Sequence, residues 1–174
     1  MSKITTGQIA ELIAQSDIGK VTRETFQAFL NLKRTYFVTV DLSMLLEEMI
    51  ASGQYDSCNK DINSENFPIK GTGALEVNLE LVHLGRKATT DEVEAELDKR
   101  GLRAATLVEL LAFGAKYPEL QREFPIIALG SVWRYHDGFR GVPFLLRRGS
   151  LRDLGLFWDG DGWDGSCRFL AVRK

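Results

Sequence analysis

The chain has 174 residues, 44 % hydrophobic and 26 % charged, the balance of an ordinary globular protein long enough to bury a core. Its formal net charge of −2 leaves no electrostatic footprint for nucleic acid, and no run has the length and apolarity of a membrane span. Its two cysteines, Cys58 and Cys167, make no framework: a bridge between them needs a geometry that spacing cannot supply, and free thiols are the simpler expectation.

The opening MSKITTGQ is polar and lacks the apolar core of a signal peptide, which leaves the cytoplasm or an unrecognised export route. Thr6 can cap a first helix with Ile9, Leu12 and Ile13 on one face, ended by Gly19. Thr22 caps a second, with Val21 and Phe26 spaced as a hydrophobic staple and Phe26, Phe29 and Leu30 facing inward. The exposed face of this pair is not basic enough for a DNA-reading motif. Tyr36 to Val40 is β-prone, and Leu42, Leu45, Leu46, Met49 and Ile50 mark a third helix closed by Gly53. Residues 54–73 are rich in Asn, Asp, Ser, Pro and Gly and read as a long loop. Asp56, Asp61 and Glu65 in it could meet a cation, but a solvated loop is the simpler reading. We therefore expect an N-terminal helical region and loop over 1–73, packed on a main domain over 74–174.

That domain opens with Leu75 to Leu81, a period-two strand with one face buried. Thr89 and Glu92 form a capping box for a helix through Val93 and Leu97, closed by Gly101. Thr106 and Glu109 open another through Leu107, Leu110, Leu111 and Phe113, stopped at Tyr117-Pro118. Phe124 to Leu129 is a β-rich buried run. The fold class this implies is α+β.

From Ser131 to Lys174 two kinds of position alternate. Val142, Pro143, Leu145, Leu154, Leu156, Trp158, Trp163, Phe169, Leu170 and Val172 suit packing, with Trp158 expected in the core and Trp163 open between core and surface. Phe144, Leu146, Gly155, Phe157, Asp159, Gly160, Asp161, Gly162, Asp164, Gly165, Ser166 and Cys167 follow no packing logic, since a strand interior gains nothing from glycine. A second oddity coincides. From Ser131 to Arg173 there is no Lys, Glu, Gln, Met, Ile, Thr or Asn, seven of the ten residues whose codons all require adenine, although all seven occur upstream. Tyr135, His136, Asp137, Asp153, Asp159, Asp161 and Asp164 can each arise when adenines of an Asn codon are replaced. Eight basic and five acidic side chains between 130 and 174 reverse the acidic balance upstream, as expected where arginine is tolerated on a scaffold.

The run VPFL, then RDLGLFW, then a second Trp and RFLAVRK resembles the variable proteins of diversity-generating retroelements, most closely the archaeal type of nanoarchaeon-like organisms. In that family a reverse transcriptase miscopies adenines of a template repeat, and the altered copy replaces the end of the gene. The resemblance implies a C-type-lectin-like domain that presents the scrambled residues as a ligand-binding surface. It also implies that the strand from Phe169 to Arg173 pairs near the first strand of the domain. It covers the last 45 or so residues and says little about residues 1–73.

Other chemistries find little footing. Asp159-Gly-Asp-Gly-Trp-Asp164 puts Trp163 and Asp164 where an EF-hand needs an oxygen ligand and a glycine, so no metal site is assigned. His83 and His136 have no metal-spaced neighbours, and no nucleophile elbow is present. The expectation is a non-enzymatic, cofactor-free binding protein whose twelve variable-looking residues meet an unknown ligand, by preference a protein surface. A small hydrolase or modifying enzyme on an α+β scaffold, and a module using Phe144, Leu146 and Phe157 as an obligate interface, are the alternatives.

Overall fold

In a computed structural model, which describes residues 35–174 other than Asp137, Asp159 and Asp161, the period-two run becomes strand β3 (Ala74–Val82). The two helices expected before Thr35 lie outside the described residues. One edge of β3 pairs antiparallel with β1 (Thr35–Asp41), from Thr35↔Glu80 to Asp41↔Ala74. Its other edge pairs antiparallel with β9 (Arg168–Arg173), from Leu79↔Val172 to Val82↔Phe169. The closing strand thus lies beside the strand that opens residues 74–174. The compact unit begins at Thr35 and not at Ala74, because β1 is hydrogen-bonded to β3 along its whole length.

The polar stretch 54–73 is also part of this unit. Within it, β2 (Ser57–Cys58) pairs in parallel with β8 (Leu151–Trp158) at the opposite end of the sheet from β1. Ile62 and Phe67 are buried in the core, while Asn59 and Asn63 close side-chain turns onto the amides of Asp61 and Asn66. Turn-forming side chains, not solvation, explain the composition.

The remaining strands are β4 (Leu102–Ala104), β5 (Ile126–Ile127), β6 (Trp133–Arg134) and β7 (Arg140–Arg148). The sheet order is β1-β3-β9-β5-β7-β8-β2, with β4 also on β9 and β6 also on β7. Helices α1 (Leu46–Ser52), α2 (Thr90–Lys99), α3 (Leu107–Lys116) and α4 (Leu120–Glu123) complete an α+β architecture. The Thr89 box closes in both directions, with Glu92 N donating to Thr89 Oγ1 at 3.3 Å, while at Thr106 the hydroxyl donates to the Glu109 carboxylate at 3.0 Å and makes no bond to its amide. Thr89 N donates to Glu92 at 2.9 Å, and Thr106 N donates to Glu109 at 2.7 Å while Arg103 forks onto the same carboxylate at 2.6 and 3.0 Å.

Strand alternation divides the interior in two. Leu145, Leu154, Leu170 and Ile126 pack with Leu46 of α1 and Leu110, Leu111 and Phe113 of α3. Val142, Phe144, Phe169 and Ile127 pack with Val93 and Leu97 of α2. Arg152 ties the first layer together. It is 6 % exposed and donates to Gly53 O at 2.6 Å, Gly114 O at 2.9 Å and Gln121 Oε1 at 3.1 Å, with Tyr55 under its guanidinium. Gly114 O lies in the last turn of α3, and the residue four positions on is Pro118, which has no N–H to give. The guanidinium supplies the missing donor. Among the described residues no helix is long and apolar enough to cross a membrane.

Candidate functional site

The C-terminal cassette, residues 131–174, is built on the hairpin β7–β8, closed by Gly149-Ser150 with Gly149 at φ 65°. Its register sets Val142 against Phe157, Phe144 against Gly155 and Gly141 against Trp158. Phe144 therefore lies across Gly155, where a Cβ would stand 2.5 Å from the phenyl Cε1. The strand glycine that looked arbitrary is the seat of an aromatic ring.

This corrects part of the expected surface. Phe144 is only 6 % exposed, and Gly155 and Cys167 are buried with it, so three of the twelve positions are not displayed. Burial pushes the Cys167 thiol pKa up. Rings continue from Phe144 to Phe157 at 4.5 Å, from Phe157 to Trp163 at 6.3 Å and from Trp163 to Phe169 at 5.9 Å. Trp163 is 2 % exposed and belongs to the core; its indole donates to Thr90 Oγ1 at 3.0 Å and its backbone exchanges hydrogen bonds with Ala88.

The loop after Trp163 is held by its own geometry. Asp164 Oδ1 accepts from Ser166 N at 2.8 Å, and that bond holds its carboxyl below the usual carboxylate range. Asp164 O accepts from Cys167 N at 3.1 Å. Gly162 has φ 74°, and a Cβ on Gly165 would stand 3.2 Å from the Arg86 backbone. Gly165 O lies 2.8 Å from His83 Nε2. Leu146 is half-buried, and its carbonyl accepts from Gln121 at 3.0 Å. Phe157, Gly160, Asp164 and Ser166 are exposed, whereas Asp159 and Asp161 lie outside the described residues.

Trp158, expected in the core, is 46 % exposed, because β8 ends there and the packed face runs out. It meets Phe139, also 46 % exposed, edge-on at 5.1 Å, and Phe157 beside it is 40 % exposed. With Tyr135, Arg140, Gly141 and Leu156 these rings line an open cleft of about 340 Å³. Tyr135 is braced by Trp133 at 3.8 Å, and a Cβ on Gly141 would stand 3.2 Å from the Tyr135 ring. Tyr135 and Phe139 were missed in the sequence. Their signal was an aromatic on either side of the short polar run His136-Asp-Gly138.

A larger trough, about 450 Å³, runs between β1 and α3 over Val40, Leu75, Val77 and Val108, and touches the cassette only at Ser131 and Val132. Asp56 is engaged by the Arg152 amide at 2.7 Å. Among the described residues no group of three or more His, Cys, Asp or Glu could hold a metal. The displaced carboxyls elsewhere, Glu47, Glu92 and Glu96, belong respectively to hydrogen bonds at the start of α1, to the cap of α2 and to an ion pair of α2. No protein-family model, no curated protein and no solved structure matches the chain.

Proposed function

We propose that the chain is a non-enzymatic ligand-binding protein whose C-terminal surface is diversified by adenine-directed retroelement mutagenesis and displayed on a C-type-lectin-like scaffold. One observation carries the reading: Phe139 and Trp158 meet edge-on at the open end of the β7–β8 hairpin, each nearly half exposed and neither part of the two core layers. Large exposed rings on a rigid strand end provide contact area at low entropic cost, which suits recognition. The adenine-poor composition of residues 131–173 and the pairing of β3 with β9 support the same reading.

The ligand is a protein surface in preference to a sugar. The cleft offers apolar rings and few polar groups, whereas a saccharide asks for several hydrogen-bond partners. A display library of the full chain randomised at residues 139, 157 and 160, panned against lysozyme, should yield folded binders. The same randomisation at 144, 155 and 163 should yield unfolded protein. A surface library that does not fold, or that never binds, would contradict the proposal.

A further inference from the structure

The cassette has three tryptophans, and two of them have packing roles. Trp163 is buried and hydrogen-bonded to Thr90, and Trp133 braces Tyr135. Trp158 meets Phe139 edge-on at 5.1 Å, outside both core layers, and nearly half of it faces water. Interfaces place their strongest contacts on such residues: tryptophan is among the side chains most enriched at binding hot spots.

The genetic code adds an independent constraint. Replacing the adenines of an Asn codon leaves a pyrimidine in its third position, and Trp is encoded only with guanine there. A Lys codon ending in guanine could yield Trp, but the adenine-requiring residues of 131–173 are Tyr, His and Asp, whose codons end in a pyrimidine, and none is Lys, Glu or Gln. From such pyrimidine-ending codons Phe157, Gly160 and the aspartates at 159 and 161 can all be reached, and Trp158 cannot. A third observation concerns direction. A Cβ built on Gly160 would stand 2.5 Å from Trp158 Cζ2 and 2.6 Å from Cε2. Any other residue at 160 must turn the indole.

Resting on the function proposed above, we propose that Trp158 is the constant anchor of the binding surface, inserted into an apolar patch of a protein partner, and that residue 160 aims it. The positions that change around it then supply specificity, while the indole contributes affinity common to all copies.

Two measurements test this. The gene's 3′ end is sequenced from many cells of one population, and codon 158 should be identical in every copy while codons 157 and 160 differ. Two full-chain display libraries, randomised at 157, 159, 160 and 161 and carrying either Trp158 or Trp158→Ala, are panned against lysozyme. The tryptophan library should return at least about ten-fold more binders among clones confirmed as folded. In one isolated binder with Gly at 160, Gly160→Ala should weaken binding at least about ten-fold. Variation at codon 158 matching its neighbours, equal yields, or indifference to Gly160→Ala would overturn the proposal and leave diversification standing. Codons that are uniform from 131 to 173 would instead remove diversification itself, and the anchor with it.

Discussion

Two residues carry more of the fold than their types suggest. Gly155 seats the Phe144 ring, so Gly155→Ala forces that ring to move within a filled layer. Overpacking of this kind costs about 1–3 kcal/mol. Urea unfolding should show that loss, and Phe144→Leu should recover part of it in a double-mutant cycle. Arg152 donates to three acceptors that have been taken out of bulk water, and Arg152→Met leaves Gly53 O and Gly114 O without it. The expected loss is about 3 kcal/mol or more. Arg86→Met, which removes an exposed pair with Glu92, should cost less than about 1 kcal/mol in the same assay. Equal effects of the two arginine substitutions would mean that the buried network is not a structural tie.

At the scale of elements, α2 and the loop that follows Trp163 share an acid-sensitive side of the molecule. Hydrogen bonds from the Thr89 backbone, from Arg100 and from the Ser166 backbone are the largest causes that hold Glu92, Glu96 and Asp164, respectively, below their ordinary pKa. A carboxyl whose folded pKa lies below its unfolded one stabilises the fold at neutral pH, and that contribution fades as pH falls through the folded value. Thermal melts from about pH 7 to about pH 3 should therefore lose stability below roughly pH 4, where carboxyls begin to protonate. Asp164→Asn should flatten part of that acid limb. An acid limb unchanged by Asp164→Asn would show that the Ser166 bond contributes nothing.

Elements with a strong local signature were legible before the structure. The Thr-x-x-Glu spacing located the starts of α2 and α3, and alternation located β3. What failed depended on distant partners. Gly155 could not announce that Phe144 would cross it from the neighbouring strand. In the sequence Trp158 is expected in the core and Trp163 stays open between core and surface, because alternation says nothing about where a strand ends or a loop folds back. Trp163 is held in the core by partners far away in the chain: its backbone pairs with Ala88, 75 residues earlier, and its indole donates to Thr90.

For the molecule as a whole, the compact unit from Thr35 to Lys174 closes its sheet around the last strand, so the cassette is part of the core as well as part of the surface. The boundary expected at residue 73 came from a polar composition that in fact serves turns on a chain crossing to β8 and back. Templated diversification on such a scaffold requires that change be confined to the hairpin end and spare the seat of Phe144. The most direct test is to sequence the DNA downstream of the gene. The account predicts a near-copy of the codons for residues 131–174, differing only where the copy carries adenine, with the three tryptophan codons identical in both. Absence of such a copy, or mismatches indifferent to adenine, would contradict it.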